Sequence, residues 1–353
     1  MKKLVIDKKA LQSNIKVLKE KAGSAVLYGV LTGDGQGVGL LELAAVLRDN
    51  GVTRFVVSEP EQVAALRKGG FETEEILVVR SITSPEELEL LIDLGAVCTI
   101  GSTEAGMALN ALAETRSTVV EAHLRVDTGM GWGGFLPEEP DKLCACYRSL
   151  PNVAVSGIYT ELRSSSEKIV QVQLDAFRTA LDAIHKAGFE TGCVHAAGSY
   201  ALLHFGVDCM DAARIGSALL GRCQREKHDG LTRIGFGEVP IEDIRWLPRG
   251  KTIGSDHVTT LRKAARVAVL PIGYQNGFAL SHRQPQGVLA AIAQWWRTRK
   301  RTVTIGGEKA RVIGHVGAIE TVIDITNLKC ATGDLALFDI DPLFAKGLTL
   351  EYR

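Results

Sequence analysis

The feature that most limits the fold of this chain is its alternation. Over roughly the first 210 residues, short runs rich in β-branched side chains are each followed by an amphipathic stretch, then by another run. The runs fall at 25–31, 55–58, 76–79, 97–100, 121–126, 155–159, 193–196 and 213–215. Between them, segment 10–20 spaces Leu11, Ile15 and Leu18 four and then three apart, which puts them on one face of a helix. Segments 40–47, 64–67, 85–94 and 167–187 read the same way, and Ser84-Pro85 supplies an N-cap followed by a first-turn proline. Helices between strands are the crossover connections that parallel pairing needs. Eight such units predict a (β/α)8 TIM barrel, an α/β fold, because a doubly wound sheet usually needs fewer units and often carries a Gly-rich dinucleotide loop.

The texture changes after Gly221. Helical periodicity gives way to short extended runs at 267–272, 302–305, 311–316, 321–325 and 335–339, with Gly306-Gly307 as a hairpin turn between two of them. The sequence therefore predicts a barrel over 8–222 and a C-terminal mostly-β domain over 223–353, joined by an N-terminal strand within 1–7.

Composition narrows the class of function. The 353 residues carry 41 basic and 41 acidic side chains, a formal net charge of +0. That balance lacks the basic footprint of a nucleic-acid binder or a polybasic membrane anchor, and it leaves little repulsion to oppose self-association. The 7 cysteines are scattered, and Cys144 and Cys146 form a C-x-C pair without a second pair at metal spacing, so reduced thiols and no metal are expected. Met1-Lys2-Lys3 resembles the start of a signal peptide, but only Leu4-Val5-Ile6 follows before Asp7. No membrane partner and a cytoplasmic location are the expectation.

Four clusters carry candidate chemistry. Leu31 to Gly39 reads LTGDGQGVG, whose alternate glycines serve either as a tight βα turn or as a cradle of N–H groups for an anion. His123 to Gly131, HLRVDTGMG, ends the fifth strand, where barrel residues face the mouth, although Arg125 there also suits a buried ion pair. His195-Ala196-Ala197-Gly198-Ser199 and Arg214-Ile215-Gly216-Ser217 follow strands seven and eight, a common place for a phosphate site built from hydroxyls and backbone N–H groups; His195 reads as a wall residue. The fourth, Leu270 to Phe278, sets Tyr274 between glycines, as a phosphate contact or a packed aromatic.

In combination these runs resemble the alanine racemase family, fold-type III enzymes dependent on pyridoxal phosphate, along nearly the whole chain. The resemblance implies a barrel followed by a β domain, a head-to-tail homodimer and a cofactor at the barrel mouth. It implies that Ser199, Gly216, Ser217 and Tyr274 bind the cofactor's phosphate and that Arg214 faces the pyridine nitrogen. The family's strand-one motif V-x-K-A-(N/D)-A-Y-G-x-G, set by its closing glycines on Gly37 and Gly39, puts Thr32 where a lysine forms the Schiff base and acts as one base. The opposite-face tyrosine corresponds to Ser255 in Gly250–Asp256, GKTIGSD. T-H-F becomes Thr160-Glu161-Leu162, R-L-G-F becomes Trp132-Gly133-Gly134-Phe135, C-M-D-M becomes Gly317-Ala318-Ile319-Glu320, and Arg125 stands at an often carbamylated lysine.

Racemisation needs a usable base on each face of the substrate carbon. The resemblance therefore implies a pseudoenzyme: an alanine-racemase-like protein with no retained catalytic residue, binding either no cofactor or non-covalent pyridoxal phosphate or another phosphorylated ligand. A mixed dimer with an active relative would hold one site without lysine and one without tyrosine. Two alternatives stand beside it. One is an enzyme of altered chemistry using Asp34, Glu161, Asp127 and His195; the other is an amino-acid racemase working through an unrecognised lysine. Between Phe278 and Gly306 the chain is longer than the family's usual connection, and the stretch 288–301 within it sets Trp295-Trp296 beside Arg297, Arg299, Lys300 and Arg301, as a partner patch or as an insertion packed on the β domain.

Overall fold

The computed structural model describes residues 1–163, 166–223, 230–254, 259–280, 287–289, 292 and 301–353. The chain divides into two compact units, Ala10–Arg233 and Met1–Lys9 with Ile234–Arg353.

The first unit is a closed parallel barrel of eight strands. In chain order they are β2 (Val26–Val30), β3 (Arg54–Val57), β4 (Glu75–Ser81), β5 (Val97–Ile100), β6 (Val120–Val126), β7 (Val153–Thr160), β8 (Cys193–Gly198) and β9 (Ala212–Ile215). Pairing of β2 with β9, Leu27 against Ala213 and Tyr28 against Arg214, closes the ring. Helices α1 (Lys8–Ala22), α3 (Leu40–Asp49), α4 (Pro60–Lys68), α5 (Pro85–Asp93), α6 (Thr103–Thr115), α7 (Pro140–Ser149), α8 (Glu167–Lys186) and α9 (Ser199–Phe205) alternate with the strands, and α2 (Thr32–Gln36) is a left-handed turn described below.

Local chemistry starts these helices. Ser84 caps α5, its hydroxyl accepting from Glu87 N at 3.4 Å, and Ser102 caps α6 through Ala105 N at 3.2 Å. Packing then holds them. In α8, Val170, Leu174, Phe177, Leu181 and Ile184 recur at helical spacing and are all buried. Each such side chain contributes about 1.5–3 kcal/mol on leaving water. Inside the barrel, Tyr28, Val56, Leu77, Val97 and Ala212 form one apolar cluster.

Among the described residues, the second unit is a nine-stranded sheet, in the order β11-β14-β17-β16-β15-β18-β10-β1-β19, with a two-stranded ribbon, β12-β13. The strands are β1 (Lys3–Ile6), β10 (Phe236–Pro240), β11 (Asp243–Leu247), β12 (Thr252–Ile253), β13 (Thr259–Thr260), β14 (Ala265–Leu270), β15 (Thr302–Ile305), β16 (Glu308–Val312), β17 (Thr321–Asp324), β18 (Leu335–Asp339) and β19 (Thr349–Tyr352). The run expected at 311–316 is shifted: β16 starts at Glu308, because the Gly306-Gly307 turn, with φ of 55° and 86°, sets Glu308 directly opposite Ile305. β1 lies between β10 and β19, antiparallel to one and parallel to the other. No helix among the described residues is long and apolar enough to cross a membrane.

Candidate functional site

Residues at the C-terminal ends of parallel strands face the mouth of a barrel. Here those ends are followed by Thr32 after β2, Asp127 after β6, Glu161 after β7, Ser199 after β8 and Gly216 after β9.

The turn after β2 is left-handed. Gly33, Asp34, Gly35, Gln36 and Gly37 all have positive φ, from 54° to 80°, and Gly35 N and Gly37 N donate to Leu31 O and Gly33 O at 2.9 and 2.8 Å. Left-handed helix costs a non-glycine residue roughly 1–2 kcal/mol, so the alternate glycines make the turn possible. The two other residues are held by their side chains. Asp34 Oδ1 accepts from Leu40 N at 3.0 Å. Gln36 Nε2 donates to Thr32 O at 3.1 Å and to Thr32 Oγ1 at 3.2 Å. Gln36 is buried and Thr32 half-buried.

Across the barrel, Ser199 Oγ accepts from Gly216 N at 3.0 Å and from Ala218 N at 3.4 Å. The end of β8 and the loop after β9 thus form one cradle. A Cβ on Gly216 would lie 3.2 Å from Val30 Cβ and 3.3 Å from Gln36 Cδ and Oε1, so the β2 turn walls the same cradle. Ser217 is exposed beside it.

Below the mouth lies a buried polar file. Arg214 donates through Nη1 to His195 Nδ1 at 2.6 Å and through Nη2 to Thr160 O at 2.7 Å. Guanidinium only donates, so His195 Nδ1 is the acceptor and its proton sits on Nε2. That nitrogen faces His123 Nδ1 at 3.0 Å, which fixes the second tautomer in turn. His195 is stacked between Tyr28 and Tyr159, with ring centroids 5.4 and 5.1 Å away. Burial, followed by the Arg214 charge, pulls His123 down to about 3 and drives His195 well below its usual value. Both imidazoles are neutral, and the charge of the file belongs to Arg214, whose own pKa burial lowers. At the opposite end of the barrel, Tyr28 Oη donates to Glu75, which pairs with Arg54 at 3.1 Å.

The remaining mouth residues are engaged locally. Arg125 and Glu161 form an ion pair at 3.7 Å. Asp127 Oδ1 accepts from Gly129, Met130 and Gly131 N at 2.9 to 3.1 Å. Partial desolvation would raise its pKa, but these three donors outweigh it and hold the carboxylate below its usual range. Asp34 caps a turn and His195 is sealed in the wall, so the four residues considered for altered acid–base chemistry do not gather into one free constellation. A separate open cavity of about 250 Å³ lies against Thr128, Arg163, Gln173 and the exposed Lys168.

In the second unit, Tyr274 begins a 3-10 turn after β14 and is half exposed. Its N–H donates to Gly317 O at 2.9 Å and Gln275 N donates to Ala318 O at 3.1 Å, which brings the 317–320 segment beside it. Gly273 is required there, since a Cβ would meet Ala318 O at 2.2 Å. Ser255, Trp295 and Trp296 lie outside the described residues.

The alanine racemase N-terminal domain family matches residues 6–224 and its C-terminal domain family matches 238–342. The chain belongs to the alanine racemase family. The alanine racemase of Halothermothrix orenii is 29% identical over 332 residues, 92% of this chain and 83% of that one. The alanine racemase structure from Streptomyces lavendulae superposes with a TM-score of 0.86 at 20% identity, covering 100% of this chain and 97% of that one. The Clostridium difficile alanine racemase gives 0.82 at 22%, over 99% and 88%. At such identities the two structures speak for the fold alone.

Sequence reasoning gave no role of their own to Gln36, Thr160, Ala218, Tyr28 and Tyr159. Gln36 carried a signal: with Asp34 it interrupts a run of alternate glycines, where a side chain on a left-handed backbone needs a reason to be there.

Proposed function

We propose that this member of the alanine racemase family is a homodimeric binding protein without racemase activity, whose barrel mouth holds a phosphorylated small molecule, pyridoxal phosphate foremost, by hydrogen bonds alone. The observation that supports this reading is the end of β2, where the Thr32 hydroxyl is bonded to Gln36; the motif resemblance in the sequence sets Thr32 against the family's lysine. A hydroxyl cannot condense with the cofactor's aldehyde, and it is far too weak a base to take a proton from a substrate carbon at neutral pH. Ser255 at the tyrosine position extends the argument from the sequence. The family's cofactor supplies, when bound, an electron sink for a carbanion at the substrate carbon.

The residues suit part of that cofactor. Ser199, whose oxygen accepts from the Gly216 and Ala218 N–H groups and whose hydroxyl hydrogen is left to donate, supports a phosphate contact at the end of β8, with the exposed Ser217 as a further hydroxyl; Arg214, anchored through both terminal nitrogens, would be the cation of the ring pocket. They do not suit covalent attachment at position 32. The chain's own residues therefore bind and orient a phosphate ester and keep a fixed positive charge under it.

Native mass spectrometry of the purified protein, reporting subunit count and any co-purified small molecule, tests both halves of the proposal. Two subunits and a non-covalent phosphorylated ligand are expected. An absorbance band of a lysine-bound cofactor that disappears on borohydride treatment would overturn it.

The rival reading is an active racemase, favoured by the relative named alanine racemase that aligns over 92% of the chain. It requires another lysine. Lys168, exposed at the 250 Å³ cavity, is the one to examine. Formation of D-amino acids, with Thr32→Lys as comparison and peptide mapping of any borohydride-fixed lysine, decides the matter. Absence of turnover across the common amino acids ends this reading.

A further inference from the structure

We propose that Gln36 is the specificity-determining residue of the barrel mouth: its carboxamide, bonded to Thr32 and lying beside the phosphate cradle, seals the end of β2 over position 32, so that covalent capture of a phosphate ester is disfavoured even when a lysine is supplied. The inference rests on the binding reading above.

The geometry fixes the amide's orientation. Thr32 O is a carbonyl and can only accept, so the nitrogen end of Gln36, 3.1 Å away, must face it. The same nitrogen reaches Thr32 Oγ1 at 3.2 Å. Gln36 Oε1 therefore points the other way, toward Gly216, where a Cβ would approach it to 3.3 Å. Gly216 is the residue whose N–H is bonded to Ser199 Oγ at 3.0 Å. One buried side chain thus touches both position 32 and the cradle.

The backbone strengthens the case. Gln36 sits at φ 58° between glycines at φ 62° and 80°. Glycine would be the cheaper residue at that position, so the carboxamide must offset the strain of about 1 kcal/mol or more. Its visible return is the pair of bonds to Thr32.

Two sets of variants test this. In the parent background, Gln36→Glu keeps size and the acceptor oxygen, removes the donation to Thr32 and adds negative charge beside the cradle. Equilibrium dialysis should show affinity for pyridoxal phosphate and for inorganic phosphate falling at least tenfold, with an unchanged circular dichroism spectrum. In the second set, Thr32→Lys is compared with Thr32→Lys/Gln36→Ala. The lysine amine condenses with the aldehyde and releases water, and hydride from added borohydride reduces the C=N bond to a stable amine read by mass. At equal pyridoxal phosphate, the double variant should carry at least ten times more adduct. Equal affinity of Gln36→Glu and parent, or full loading of Thr32→Lys with Gln36 in place, overturns the proposal. If the parent retains neither phosphate nor pyridoxal phosphate, the binding reading falls, and the adduct comparison still decides the role of Gln36.

Discussion

Gly157 is the most exacting test of the buried file. It lies on β7 directly opposite His123 of β6. A Cβ at 157 would fall 2.5 Å from His123 Nε2 and 2.7 Å from Cδ2 and Cε1, distances that real carbon atoms do not tolerate. The ring cannot swing aside freely. Its Nδ1 is bonded to His195, which is itself clamped between two tyrosine rings. Overpacking a filled core costs about 1–3 kcal/mol. Displacing the ring also breaks the His195–His123 bond and strands a buried donor, for about 1–3 kcal/mol more. Gly157→Ala should therefore destabilise the barrel by about 2–5 kcal/mol, against the few tenths gained when alanine replaces glycine at an unhindered site. Urea unfolding followed by circular dichroism measures it. The decisive arm is a double-mutant cycle with His123→Ala: without the ring, Gly157→Ala should cost under about 0.5 kcal/mol. Equal costs in both backgrounds would refute the steric argument.

Three further outcomes follow from the same geometry. Both buried histidines are neutral in the folded state and have folded pKa values below their unfolded ones, so the unfolded chain binds more protons as pH falls below about 6.5; stability should drop by about 2 kcal/mol for His123 alone between pH 7 and pH 5, and pH-independent unfolding over that window would contradict the assignment. Ser199→Ala removes the acceptor of Gly216 N and Ala218 N; it should cost about 1–2 kcal/mol in urea unfolding and abolish phosphate retention in dialysis, and unchanged retention would remove Ser199 from the cradle. Asn14, fully buried on α1, donates to Leu219 O and Thr232 O and accepts from Thr232 N at 2.7 to 2.9 Å; Asn14→Ala should cost about 2–4 kcal/mol, and a neutral result would mean that water replaces the amide.

The barrel was legible because parallel strands buried on both faces leave continuous apolar runs. The run at 97–100 coincides with β5, and most others begin or end within two residues of the observed strands. The strands that escaped notice are those whose partners are remote or whose faces are wet. β19 is half-exposed and pairs with β1 from the opposite end of the chain, the one of the two that the sequence places, within 1–7. β11 reads Asp243-Ile244-Arg245-Trp246-Leu247 and leaves Trp246 exposed at a sheet edge, so no apolar run marks it. For the site, residue types at strand ends were readable, but their bonds were not. Sequence places Arg214 at the mouth; only the fold couples it to His195, distant by 19 positions, and through it to His123, distant by 72 more.

That coupling changes what each retained residue says about function. Arg214, His195 and His123 are bonded into the wall of the barrel, and a chain with no ligand at all would keep them, because truncating Arg214 leaves an imidazole and a strand carbonyl buried without a donor. Their presence therefore argues weakly for a cofactor. Ser199 and Gln36 are the more discriminating pair. Ser199 is not needed to start α9 by capping, since its hydroxyl reaches across to the loop after β9, and Gln36 sits at a backbone position that glycine would occupy at lower cost. Variants of Arg214 would mix lost stability with lost binding. Variants of Ser199 and Gln36 separate the two, and a loss of phosphate affinity there larger than the loss of unfolding free energy is the signature of a ligand site rather than of a relic held in place by the fold.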